Sequence, residues 1–325
     1  MTVFVIRRLM QAVLIVFLMS VIVFFGVNVL GDPVQSLISP DATQDEIQRT
    51  IENLGLDKPI HEQYFYFLAG VAEGNLGRSF IFGEPALQLI LHHMPATVEL
   101  AVAALAMSIL LGIPLGLFSG LYPDSPISKG IMAASIVGFS LPTFWVGLIL
   151  IMVFAVTLGW LPSTGRGDTA VFLGIESSIF TLDGLSHLAM PALNLALLKI
   201  SLVIRLTRAG VREAIGQDYM KFARAKGLSR SRIVGVHLMK NILIPVVTVL
   251  GLEFGNLIAF SVVTETIFAW PGMGKLLIDS ILQLDRPVVV AYLMIITVVF
   301  VVINLIVDVL YSLLDPRVRL QDQGQ

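Results

Sequence analysis

The sequence predicts an all-α integral membrane protein with six transmembrane helices and both termini in the cytoplasm. Three observations carry that expectation. Hydrophobic residues make up 56% of the chain and charged residues only 14%, where soluble domains carry about a quarter. Six runs, roughly 9–30, 97–122, 130–157, 187–208, 241–264 and 288–313, match the ~20 apolar residues that a spanning helix needs. Their apolar residues run all the way round, unlike the short alternating segments of a β-barrel. Lys and Arg set the orientation. With the N-terminus inside, the inner segments hold Arg7, Arg8, Lys129, nine basic residues from Arg205 to Lys240, Arg317 and Arg319. The outer segments hold only Arg49, Lys58, Arg78, Arg166, Lys275 and Arg286.

Residues 1–8 form a short cytoplasmic N-terminus, followed by the first span, 9–30. Its apolar run exceeds the ~7–15 residues of a signal-peptide core. It leads into Gly31-Asp32-Pro33 and not into a small-x-small cleavage site. It therefore reads as a retained span.

Residues 31–96 are the longest extramembrane segment, on the outer side. They are acidic, with nine Asp/Glu against three Lys/Arg. "TQDEIQRTIENLG" reads as a short helix. Thr43 and Glu46 make a capping box, Ile47, Ile51 and Leu54 share a face, and Gly55 ends it. "HEQYFYFLAGVAEG" reads as a second helix and 84–93 as a third. The segment is too small and apolar for an independent binding domain, so it is expected to pack on the outer mouth of the bundle.

Residues 97–315 hold the remaining five spans, with a basic segment at about 213–232 between spans four and five, and 316–325 form a cytoplasmic tail. Glu99 opens span two and reads as its cap. Gly112, Gly116 and Gly120 make a small-residue ladder that admits a close helix neighbour. Pro114 and Pro142 predict local kinks. Trp160 and Trp270 fall near the outer ends of spans three and five, where indoles prefer the interface.

The chain has no cysteine, which excludes disulfides, thiolate metal sites and cysteine nucleophiles. His92 and His93 are adjacent, so on a helix they face different sides. "PGMGKLL" lacks the leading Gly of a phosphate-binding loop and the Ser or Thr after Lys275. The stretch is therefore no phosphate-binding loop.

Ionisable residues inside spans are functional suspects. Lys199 in span four and Glu253 in span five lie about 13 Å and about 18 Å from the inner ends at ~1.5 Å per residue. They read either as pathway contacts or as a structural ion pair. Glu265, at the outer end of span five, reads as lining an outer gate. Asp308 can reach Arg205 or Arg208. An ion-coupled transporter would need inverted repeats and midplane ion ligands, and an intramembrane enzyme a catalytic pair at one depth. The sequence has no repeat and few midplane carboxylates.

The basic segment reads "QDYMKFARAKGLSRSRIVGVHLMKNILIP". Asp218 suits the first turn of a helix dipole. Lys221, Arg224 and Lys226 make the surface positive, and Gly227 ends the helix. Ala223 and Ala225 offer a surface that another protein can approach closely. The competing readings are contact with anionic lipid headgroups and simple topological charge.

This stretch resembles the EAA motif of permease subunits of ABC importers, in the form found in the dipeptide/oligopeptide/nickel group. "VLGDPV", "LGLDKPIHEQY", "GNLGRSF", "PATVELA", "GIPLG", "TETIFAWPGMGKLLIDSI", "DRPVV" and "VDVLYSLLDPRVR" resemble the same group, so the likeness covers nearly the whole chain. Gln217 stands where an acidic residue is common, with Asp218 beside it. The resemblance implies the ABC importer type I permease fold in a multi-pass bacterial inner-membrane protein. It implies a coupling helix that docks on an ATPase subunit through Asp218, Tyr219, Ala223, Arg224, Ala225, Lys226 and Gly227. It further implies a transporter subunit and no enzyme, with no cofactor or metal in this chain; ATP and Mg sit on two cytoplasmic ATPase subunits. A second homologous permease, making a heterodimer, and an external substrate-binding protein complete the expected assembly. The expected cargo is short peptides, with nickel chelates, glutathione, opines and oligosaccharides as alternatives.

Overall fold

The structure is a computed structural model. It describes residues 2–29, 43–45, 48 and 57–314, with the side chains of 2–5, 27–29, 244 and 308–314 outside the description. The helix expected over 43–55 and the side chain of Asp308 therefore lie outside the described residues. The chain divides into two compact units. One comprises Met1–Pro95 with Gly272–Val301, and the other Ala96–Pro271 with Val302–Gln325.

In the first unit, α1 (Thr2–Val29) is apolar all round and meets α2 (Ile60–Ala72) through rings. Phe24 lies 5.3 Å from Tyr64 and 5.6 Å from Phe67, and the hydroxyls of Ser20 and Tyr64 are 2.9 Å apart. The loop before α3 (Ala86–Leu121) is tied to the turn between α11 (Met273–Leu282) and α12 (Arg286–Leu314) by the buried Asp285. Asp285 accepts from the Ser79 hydroxyl and, at 3.0 Å, from the Phe80 N–H. Gly77 has φ +90°, and a Cβ there would stand 3.2 Å from Pro287. Two stretches far apart in sequence, "GNLGRSF" and "DRPVV", thus meet.

The second unit is organised around α6 (Leu182–Ile215). Of its apolar window 61% is buried, against 11% for α1, so α6 is the central helix and α1 a largely uncovered one. The glycine ladder of α3 lies against α6. A Cβ at Gly116 would stand 2.7 Å from both the Ile204 carbonyl oxygen and Thr207 Cβ, and one at Gly120 would stand 2.5 Å from Val211. Small residues are required here because the two backbones approach closely.

α3 begins at Ala86 and runs unbroken through Pro95 and Pro114, so residues 86–93 are its first turns and no separate helix covers 84–93. Its 36 residues span about 54 Å, longer than an apolar core. The polar turn around His92 and His93 is simply its extension. The expected third span instead divides into α4 (Pro126–Ser140) and α5 (Thr143–Leu150), the latter continued by a wide π turn, Ile151–Thr157. The two halves meet at 109°. Leu141 is extended (φ −82°, ψ 136°), as the residue before proline prefers, and Pro142 has no N–H to continue the ladder.

A short hairpin, β1 (Ala170–Phe172) and β2 (Ile175–Ser177), leads through a 3-10 turn, Ser178–Phe180, into α6. After α6 come α7 (Asp218–Ala225), a single turn α8 (Arg230–Arg232), a π stretch (Ile233–Leu238), α9 (Met239–Ala259) and α10 (Val262–Ile267). Among the described residues four helices are long and apolar enough to cross a membrane, or up to six when each bent pair counts as one span.

Candidate functional site: an exposed basic helix and the intramembrane charges

α7 is fixed by a few inward residues. Met220 is 1% exposed and Ala223 5%. Both belong to an apolar cluster with Val211 and Ala214 of α6, Ile233 and Leu238 of the π stretch, and Ile242, Val246 and Leu250 of α9. A short helix has little stability of its own in water, so this packing holds it in place. Its C-terminus closes in a Schellman motif. Gly227 takes φ +72°, its N–H donates to the Arg224 carbonyl at 3.0 Å, and the Leu228 N–H donates to the Ala223 carbonyl at 3.3 Å. Leu228 then packs on the same cluster.

The other face is open. Asp218, Tyr219, Phe222, Arg224, Ala225 and Lys226 are exposed. Lys221 bonds Asp218 at 2.9 Å, and Lys226 Nζ lies 4.6 Å from the centre of the Phe222 ring. The two alanines do not share a surface. Two residues on a helix turn by about 200°, which puts Ala223 against α6 and α9 and Ala225 outward. Ala223 is therefore a packing residue of the helix and no part of its open face.

The intramembrane charges fall into three places. Lys199 of α6 and Glu253 of α9 form an ion pair through Nζ and Oε2, and their side chains keep 20% and 21% of their surface. Glu265, expected to line an outer gate, has its carboxylate turned inward among hydroxyls. It is fully buried and accepts from the Thr97 hydroxyl at 2.8 Å and the Ser261 hydroxyl at 2.7 Å. Glu99 lies inside α3, past its first three turns, so it caps nothing. It pairs with Arg166 at 2.5 Å and accepts from the Ser178 hydroxyl and, at 3.2 Å, from the Ser178 N–H.

Trp270 also departs from expectation. Its ring is fully buried, and Nε1–H donates to the Ala96 carbonyl at 2.8 Å. Trp160 stays 69% exposed. The reason is local. Ala269 takes φ +46° at the end of α10 and the Trp270 N–H donates back to the Glu265 carbonyl at 2.8 Å, and the indole finds a carbonyl partner inside, as a buried Trp N–H requires. The stretches "PATVELA" and "TETIFAWPG" are thereby joined twice, through Thr97–Glu265 and Ala96–Trp270.

Sequence reasoning missed Arg166 and Ser178, because their partner Glu99 is 67 and 79 residues away. The Schellman closure carried a signal it did not use: an apolar residue, Leu228, directly after Gly227. Among the described residues no group of three His, Cys, Asp or Glu is placed to hold a metal ion.

The comparisons agree with this architecture. Residues 112–320 match the family described as binding-protein-dependent transport system inner membrane component, and residues 1–101 match the N-terminal family of such membrane components. The chain is 40% identical to the di/tripeptide transport system permease protein DppB of Pseudomonas aeruginosa, covering 92% of this chain and 95% of that protein. It is 39% identical to the oligopeptide transport system permease protein AppB of Bacillus subtilis, covering 93% and 97%. It is 34% identical to the glutathione transport system permease protein GsiC of Escherichia coli, covering 97% and 98%. Its fold resembles that of a chain of the MetNI methionine ABC transporter, with a TM-score of 0.53 at 14% identity, over 70% of this chain and 97% of that one. The chain belongs to the binding-protein-dependent transport system inner membrane components: it is a multi-pass permease subunit of the ABC transporter type.

Proposed function

We propose that this chain is one half of the membrane pathway of an ATP-driven importer of short peptides. It would cross the membrane six times with both termini in the cytoplasm. A second, related permease supplies the other half, making a heterodimer. Two cytoplasmic ATPase subunits bind ATP and Mg, and an external binding protein delivers cargo; this chain itself needs no cofactor. The peptide reading is supported by the relatives named for di/tripeptide and oligopeptide transport. The 34% identity to a glutathione permease favours a second reading, in which the cargo is glutathione itself.

The observation that carries the coupling role is α7, a short positive helix seated by Met220 and Ala223 on α6 and α9 with its other face open. A push on that face would act on both long helices at once. Asp218, Tyr219, Arg224, Ala225 and Lys226 meet the ATPase in this reading, while Ala223 and Gly227 hold the helix in shape. Two substitutions test it. Ala225→Cys, in a chain with no other cysteine, should crosslink to an ATPase subunit carrying a single engineered cysteine at its docking groove. Ala225→Glu should abolish peptide uptake while the chain accumulates normally in the membrane. Normal uptake in the Glu variant, with no crosslink in the Cys variant, would remove the coupling role from α7.

A further inference from the structure

We propose that Lys199 and Glu253 form a ligand site that recognises the two charged ends of a free peptide, its α-ammonium and its α-carboxylate. The inference rests on the peptide reading above and gives it a place inside the pathway.

The argument starts from cost. Burying an ionised side chain is unfavourable unless it is paired, and charged residues within spans face a bundle interior or a water-filled cavity. Lys199 and Glu253 satisfy one another, yet the pair is not sealed. About a fifth of each side chain remains open. Two other carboxylates on apolar helices of the same unit are sealed: Glu99 retains 4% of its side-chain surface and Glu265 is fully buried. An open ion pair facing hydrocarbon would carry the penalty without relief, so its open side turns to the bundle interior, where the pathway between the two permeases would run.

The chemistry then selects the ligand class. Opening the pair leaves one cation and one anion exposed, which only a ligand with both charges satisfies. A free peptide places its carboxylate on the Lys199 ammonium and its ammonium on Glu253. Each protein charge exchanges one opposite charge for another, and none is left unpaired. A neutral sugar or an anionic chelate lacks one of the two partners. Such a site also releases its ligand readily, because closing the Lys199–Glu253 pair restores both charges as the peptide leaves.

The test uses the whole importer, reconstituted with its ATPases and binding protein and supplied with labelled dialanine. Lys199→Met and the double variant Lys199→Met/Glu253→Leu are compared with wild type. A merely structural pair is repaired by removing both charges, since an apolar pair of similar volume often replaces a buried ion pair without loss. A ligand site is not repaired. We expect the double variant to stay assembled and to lose uptake by about ten-fold or more, the scale on which lost charge pairing weakens binding. Uptake in the double variant near the wild-type rate overturns the proposal. Should the double variant fail to assemble, Lys199→Glu/Glu253→Lys retains the pair with reversed polarity. Full uptake by that variant overturns the proposal, and loss of uptake supports it. Independently, Asn256→Cys stands one helical turn from Glu253. Its reaction with a water-soluble thiol reagent, slowed by dialanine during turnover, supports the site; no reaction in any nucleotide state overturns it. A wild-type importer that carries no free dipeptide but carries another substrate sinks the peptide reading itself, a result distinct from dipeptide uptake that survives in the double variant.

Discussion

Glu99 and Glu253 are both carboxylates on long apolar helices of one unit, and the chain treats them differently. Glu99 is closed in by Arg166 and by the hydroxyl and N–H of Ser178, three donors from the loop and 3-10 turn ahead of α6. Among the described residues Glu253 has Lys199 as its partner, and a fifth of each side chain stays open. The first arrangement satisfies the carboxylate with several donors at once. The second satisfies it with a single contact that can be exchanged. The contrast separates charges that hold the fold from charges available for work, and α7 repeats it on a smaller scale, with one sealed face and one open face.

The contrast can be broken most severely at Glu99. Glu99→Ala leaves the part-buried Arg166 guanidinium without its anion and strands the Ser178 hydroxyl, and should cost up to about 3–5 kcal/mol. The reading is the thermal midpoint of the detergent-purified assembly. An unchanged midpoint would mean that the Glu99 cluster holds nothing. Met220→Ala comes next, because it empties the seat of α7. It should cost about 2–5 kcal/mol and make the α7 backbone exchange hydrogen faster, whereas Ala225→Glu on the open face should leave that exchange unchanged. Similar protection in both variants would erase the difference between the two faces. Gly116→Leu drives a side chain into the α6 backbone and should cost about 1–3 kcal/mol or more. A midpoint equal to wild type would show that α3 and α6 are not in close contact. The smallest effect is expected at Lys221→Ala. Its pair with Asp218 is largely in water, where such pairs contribute little, so neither the midpoint nor the exchange should move measurably.

Much of the candidate site was legible in advance, and for a clear reason. The end of α7 follows from a glycine that can take positive φ, and its positive face from Lys221, Arg224 and Lys226 at helical spacing. The pairing of Lys199 with Glu253 was also open to reasoning. Two opposite charges on neighbouring apolar helices have no better partner than one another. What could not be read was which side of α7 faces inward. Its residues are mixed, and the face that wins depends on α6 and α9 arriving beside Met220 and Ala223.

By itself the sequence determined the apolar helices, the chain's mostly helical membrane character and the place of the basic segment, because these follow from local composition and from the length a bilayer requires; the hairpin of β1 and β2 departs from the all-α expectation. It also determined that close helix contact would occur at Gly112, Gly116 and Gly120, since missing side chains have no other use at that spacing. The break within 126–157 also has its cause in the local sequence, at Pro142, and only the tertiary structure decided that the glycine contact is with α6 and that Trp270 turns inward to the Ala96 carbonyl. It also decided which carboxylates are sealed and which is left open. Those outcomes depend on partners 54 to 206 residues away, and a charge or an indole carries no local mark of the distant donor or acceptor that will satisfy it.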